Sequence, residues 1–341
     1  MQGVLGRLAL VVASVLFTLG VLEIGCRLWR GPDSLLNWSN LVLEERRATR
    51  AAGVGRLKYD ADLGFVPTQF YRPTPLPAGV ALAEPPILVV GDSYAHGDEV
   101  SDEETWATVL QALMHRRTVN AGVSGYGLDQ IVLRAEQAAR DVKPAALVLM
   151  FIAEDLRRSE MKRVWGAEKP YFEPNDGAPV LRNVPVPPAP DPASTLDLWQ
   201  YLFGWSELVD TVLRHKGWQY EWAIDHERVL PRGDGEKLAC PLLQRLKRLG
   251  LPTLVVASYD PNVWRDAGYA EEQRRLSAMV LECAKAAGFG TFDLFDTIGL
   301  AVSAVGFAEA YRSSHPGPVI HRLEALRIAA ELDRLHIPPS R

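Results

Sequence analysis

The chain has 341 residues, 48% of them hydrophobic, which is enough apolar mass for one large α/β domain with additions and excludes a disordered or fibrous protein. A formal charge of −5, with Lys and Arg scattered instead of striped along one face, offers no basic field, so no nucleic-acid partner is expected. Three cysteines, Cys26, Cys240 and Cys283, are too few and too widely spaced for a zinc site or a small disulfide scaffold. Cys240 and Cys283 fall on stretches that read as neighbouring helices. They form either a bridge in an oxidising compartment or two buried thiols acting as small hydrophobes, and the sequence leaves both open.

The run Leu8 to Leu22 (LALVVASVLFTLGVL) carries no charge, with Arg7 before it and Glu23, Arg27 and Arg30 after it. Its length lies between a signal-peptide core and a short span, and snorkelling of the flanking charges extends it. No A-x-A-like cleavage site follows, so residues 1–30 read as an uncleaved signal anchor, single-pass, with membrane as partner. A lipid on Cys26 is the weaker option, because Glu23 stands where a lipoprotein signal needs an apolar residue. The flanking Arg count does not fix orientation.

Residues 31–84 carry repeated Pro and Gly, as in Tyr71-Arg-Pro-Thr-Pro-Leu-Pro77, and read as a stalk and N-terminal extension. A regular domain follows over 85–341. Strands are expected at Ile87–Val90, Thr118–Val123, Ala146–Ile152, Thr253–Tyr259 and Thr291–Phe295. Helices are expected at Glu104–Arg116, Leu128–Val142, Lys237–Leu249, Glu271–Ala287 and His321–Leu335. Ile87–Val90 and Ala146–Ile152 are apolar at every position, the mark of a parallel sheet covered on each side, so the fold class is α/β, a three-layer αβα sandwich of flavodoxin-like type. An insertion at about 157–235 interrupts the rhythm with prolines (Pro185, Pro187, Pro188, Pro190, Pro192) and tryptophans (Trp199, Trp205, Trp218, Trp222). It reads as a cleft roof, as extra core, or as a lipid-surface contact.

In an open parallel sheet, ligands bind at the carboxyl ends of the strands. There the chain places Gly91-Asp92-Ser93-Tyr94 after the first strand, Asn120-Ala-Gly-Val-Ser-Gly-Tyr-Gly127 after the second, and Phe151-Ile-Ala-Glu-Asp155 after the third. A serine needs a base within reach and amide donors for the oxyanion. His315, in Arg312-Ser-Ser-His-Pro316 before the last helix, is the candidate base. His96, His115, His215, His226 and His336 sit in less suggestive places, and His321 at the start of the last helix reads as structural.

This order of blocks resembles the SGNH/GDSL hydrolases, in particular their membrane-anchored bacterial members. GDSY matches the nucleophile block, NAGVSGYG the glycine block, and a His-Pro loop comes late; the likeness covers residues 87–155 and 290–330. The resemblance implies Ser93 as nucleophile, His315 as general base, and the amides of Ser93 and Gly125 as oxyanion donors. It implies ester substrates, often O-acetyl groups on carbohydrates, no metal or organic cofactor, and a domain on the extracytoplasmic (periplasmic) side. Two departures stand out. The family places an Asp two or three residues before the histidine, where this chain has Ser313 and Arg312; Ser313, Glu309 or a backbone carbonyl would have to substitute. The family's oxyanion Asn aligns with Glu154. Two other readings stay in view: O-acyl transfer at the same site, for which the tryptophan-rich insertion is a candidate water-excluding lid, and a catalytically silent envelope-binding protein, which the two departures motivate.

Overall fold

A computed structural model describes residues 2–53, 55–76, 82–164, 167–175, 178–189, 191–223 and 233–337. Pro77 of the expected stalk, and Pro190 and residues 224–232 of the expected insertion, lie outside the described residues. The chain divides into two units. One holds the described residues of Met1–Val54, Arg163–Ala167 and Ala189–Leu230, the other those of Gly55–Lys162, Glu168–Pro188 and Pro231–Arg341.

The first unit is built on one helix, Gln2–Arg30, which runs through the charges that the apolar pattern stops at. Its segment Val4–Arg30 is long and apolar enough to cross a membrane, and its apolar side chains from Val4 to Leu22 are exposed. It continues past Leu22 because the charges there are satisfied inside the protein. The Glu23 carboxylate accepts from Arg27 Nε (2.7 Å), the Ser206 hydroxyl (2.7 Å) and the amides of Glu207 and Leu208 (3.0 Å each). Glu23 thereby caps the helix Glu207–His215, binding the free N–H groups of its first turn. The expected stalk contains more regular structure than its Pro and Gly suggest, with helices Pro32–Leu36 and Leu41–Gly53 in this unit. Trp199, Trp205, Trp218 and Trp222 also belong to it.

The second unit holds a five-stranded, all-parallel sheet: β1 (Ala83–Val90), β2 (Arg116–Asn120), β3 (Ala146–Phe151), β4 (Thr253–Ala257) and β5 (Gly290–Asp293). Across the sheet the order is β2-β1-β3-β4-β5, so β1 and β3 are neighbours where the winding reverses. On one face lie α1 (Trp106–Met114) and α7 (Pro318–Arg334). On the other lie α2 (Leu128–Val142), α4 (Asp234–Leu246) and α5 (Ala267–Ala287), while α3 (Glu154–Ser159) and α6 (Phe295–Val305) follow β3 and β5 directly. Every residue of β3 and β4 is buried, as are Ile87 to Val90 of β1, which is what a sheet covered on both faces requires. Cys240 on α4 and Cys283 on α5 are bridged, with Cα atoms 4.8 Å apart, so of the two readings of this pair the disulfide is the one adopted. The segment after α3 adds a hairpin, Tyr171–Glu173 with Val180–Arg182, fastened by Lys169, whose buried ammonium pairs with the buried Asp129 at the start of α2.

Candidate active site

The candidate residues gather where the winding reverses between β1 and β3, at the carboxyl ends of the strands, the usual ligand position in such sheets. The chain leaves β1 through Gly91, where a Cβ would stand 2.3 Å from the Met150 carbonyl oxygen and 2.4 Å from the Ala95 Cβ; only glycine allows so close a turn. Buried Asp92 then caps a one-turn helix, Ser93–His96, by accepting from the Tyr94 amide (2.8 Å). Ser93, the expected nucleophile, is the first residue of that turn. Behind it, Arg158 Nη1 donates to Asp92 Oδ2 (3.1 Å) and Asp155 Oδ1 (2.7 Å). Burial raises the Asp92 carboxyl above its usual range. Burial and the neighbouring Asp92 charge raise that of Asp155 further, and the guanidinium between them offsets part of both.

His315 lies on a loop closed by a β-bridge between Tyr311 and Pro316, with the Arg312 amide donating to the His315 carbonyl (2.9 Å). Two hydrogen bonds pin its base: Tyr311 Oη donates to the Tyr259 carbonyl (2.7 Å) and Trp264 Nε1 to Tyr311 Oη (2.9 Å). Tyr94, next to Ser93, donates its hydroxyl to the Ser314 carbonyl (2.9 Å), and its ring centre is 5.3 Å from that of His315. The His315 loop thus rests against the turn that carries Ser93.

The carboxylate at the His315 ring is that of Glu99. Its Oε1 is 3.2 Å from His315 Nδ1, and the Ser314 hydroxyl is 3.1 Å from the same nitrogen. Glu99 also accepts from the Ser313 amide (2.9 Å) and hydroxyl (2.8 Å) and from the Ser314 amide and hydroxyl (3.2 Å each). Ser313, at a position where the resembling family has Asp, therefore donates to a carboxylate arriving from the nucleophile side. Among the described residues Glu99, not Glu309, is the acid at the ring. Partial burial would raise its pKa, but the Ser313, Ser314 and His315 contacts outweigh this and hold it at about 2. Its φ of +67° is a left-handed conformation that a residue with a Cβ rarely adopts, a strain of about 1–3 kcal/mol of the kind that gathers at functional sites.

The glycine block lies against the same turn. Asn120 Nδ2 donates to the Ala95 carbonyl (3.0 Å), and a Cβ on Gly122 would come within 2.5 Å of the His96 amide nitrogen. Gly125 is buried in this loop. Ser124 donates to Asp98 Oδ2 (2.7 Å), whose Oδ1 is 2.6 Å from His96 Nδ1, so His96 sits closer to the chemistry than its sequence context suggests. Glu154 opens α3 with its carboxylate paired to Arg157, Nε at 2.6 Å. It has no N–H to give an oxyanion, and the pairing balances its charge. His321 is fully buried against Glu324 (3.3 Å), the structural role its position suggested.

No family model matches the chain, and no curated protein matches it. Among solved structures it is similar to an alpha/beta hydrolase enzyme from the metagenome of Lake Arreo, Spain (13% identity, TM-score 0.48, 75% of this chain and 99% of that one). It is similar to an acetylxylan esterase from Geobacillus stearothermophilus, solved as a catalytic mutant (13% identity, TM-score 0.46, 77% and 100%). It is also similar to a member of the lipolytic protein G-D-S-L family from Veillonella parvula (13% identity, TM-score 0.42, 73% and 98%).

Proposed function

We propose that the chain is a membrane-tethered serine esterase of the SGNH/GDSL kind, removing small acyl groups such as acetyl from a cell-envelope carbohydrate or related ester. The contact of His315 Nδ1 with Glu99 carries this reading, because it supplies the orienting acid whose absence from the sequence favoured a silent binding protein. With Nδ1–H held by Glu99, Nε2 is left as the basic nitrogen. Ser93 Oγ attacks the acyl carbon while its proton passes to Nε2; the amides of Ser93 and Gly125 receive the oxyanion. Collapse breaks the bond to the alcohol oxygen, which takes the proton from His315 and leaves. Water, giving a proton to the same nitrogen, then attacks the acyl carbon, and His315 passes that proton to Ser93 Oγ as the acid leaves. The bridge between Cys240 and Cys283 and the apolar N-terminal helix support an extracytoplasmic domain on a single-pass anchor.

A fluorophosphonate tests the nucleophile directly, since the serine oxygen displaces fluoride from phosphorus and stays labelled. The expected result is one adduct, mapped to Ser93, absent from Ser93→Ala and formed much more slowly by His315→Ala. An unlabelled Ser93 in folded, disulfide-bonded protein would sink the proposal.

A further inference from the structure

We infer that the first unit carries a lipid-binding collar, a set of exposed aromatic and aliphatic side chains that lies in the headgroup layer of a phospholipid membrane around the exit of the N-terminal helix. The inference rests on reading that helix as inserted. The helix Leu198–Phe203 reverses the usual burial of apolar groups: Leu198, Trp199, Tyr201, Leu202 and Phe203 are 42–69% exposed, and Gln200 alone is buried. Trp38 and Trp205, rings 5.7 Å apart, extend the surface and are 51% and 37% exposed. Exposed apolar surface gathered in one place marks an interaction site, and tryptophan and tyrosine in particular settle where hydrocarbon meets water.

The level of this surface along the N-terminal helix is set by named contacts. At a rise of about 1.5 Å per residue, the exposed segment Val4–Leu22 is ~28 Å long, close to the ~30 Å hydrocarbon core of a bilayer. Glu23, the next residue, therefore stands at the boundary, and it caps the first turn of Glu207–His215. Arg30, seven residues further from the apolar segment, reaches Glu207 and Asp210. The helix Glu207–His215 thus rises away from the apolar segment, and the chain just before it, Trp205 and then Leu198–Phe203, meets it at the boundary. Arg27 fixes this level from the other side, donating to the Trp205 carbonyl (2.6 Å) and lying 3.8 Å over the Trp38 ring. The nearby cations are already paired, Arg27 with Glu23 and Arg30 with Glu207 and Asp210, so the contact is apolar and needs no anionic lipid.

The experiment uses the full chain with Cys26→Ser, reconstituted in phosphatidylcholine vesicles, with nitroxide-labelled single cysteines at Trp199, Leu202, Leu16 and the exposed Glu282. Collisions with oxygen, which concentrates in lipid, are compared with those of a water-soluble nickel chelate. The expected result is a severalfold higher oxygen-to-nickel ratio at 199 and 202 than at 282, approaching that at 16. A label at 16 as open to nickel as at 282 would overturn the inserted helix and the collar together. Lipid-like access at 16 with water-like access at 199 and 202 would overturn the collar alone. Shielding of 199 and 202 from both reagents, relieved by dilution with unlabelled chain, would replace the lipid with a second copy.

Discussion

Glu99→Gln should lower kcat on a small aryl acetate by about 10²–10⁴-fold while leaving the fold intact, the order of loss seen when an orienting carboxylate becomes an amide. The amide still fills the space beside Ser313 and Ser314, but its oxygen no longer carries the charge that steadies an imidazolium. The Ser314 hydroxyl at the same nitrogen keeps part of the orientation, which favours the lower end of that range. Adding Ser313→Asp to Glu99→Gln returns a carboxylate to the family's position and should recover at least part of the lost rate. A purely structural Glu99 would not permit that recovery, and a single variant within about threefold of wild type would sink the assignment. The pH profile offers a second check. With its carboxyl held at about 2, Glu99 is ionised at all pH values above that, so the acid limb should carry no break near pH 4 from this group.

Lys169→Met should cost about 3–5 kcal/mol of stability, because it leaves the Asp129 carboxylate buried without its cation. Neither side chain is exposed. Burial pushes the Asp129 carboxyl up and the Lys169 ammonium down, so each ion depends on the other. The ammonium also donates to the Met161 carbonyl (3.0 Å), tying the segment after α3 to the start of α2. At roughly 2–4 °C per kcal/mol the midpoint should fall by roughly 6–20 °C in a melting curve of the full chain. Combining Lys169→Met with Asp129→Asn should restore much of the loss, since no bare charge is then buried. A single variant that melts with wild type would show that the ammonium is replaceable by water.

Most of the sheet was legible because its signal is local. Ala146–Phe151 is apolar at every position, and Leu128–Val142 carries both helical spacing and a Lys143-Pro144 stop, so the helix ends where the sequence puts it. The helix Phe295–Val305 was missed, since an apolar run after a strand gives little amphipathic contrast. Residues 31–84 read as a stalk because Pro and Gly recur through a mixed composition, whereas the partners of Leu41–Gly53 lie far along the chain: Arg46 donates to the Ala223 carbonyl at 3.1 Å. Ser93 and His315 were readable as candidates from their place after a strand and before the last helix. Glu99 was not, since nothing in Gly97-Asp98-Glu99 reveals a contact 216 positions later, and the search for an acid followed the family's spacing next to the histidine. Glu154 was visible as a misfit, but its pairing with Arg157 requires the first turn of α3 to be in place.

The capping of Glu207–His215 by Glu23 means that residues 23–30 complete the fold around Ser206 to Leu208. A cut just after Arg30 would take away the acceptor of the Glu207 and Leu208 amides and of the Ser206 hydroxyl, together with the guanidinium that holds the Ser34, Asn37 and Trp205 carbonyls. Each such group stranded out of water costs about 1–3 kcal/mol, so the released fragment would begin life with a frayed seam. The N-terminal helix is built into the unit that it leads into, and a chain shortened to begin after Arg30 would need that seam redesigned.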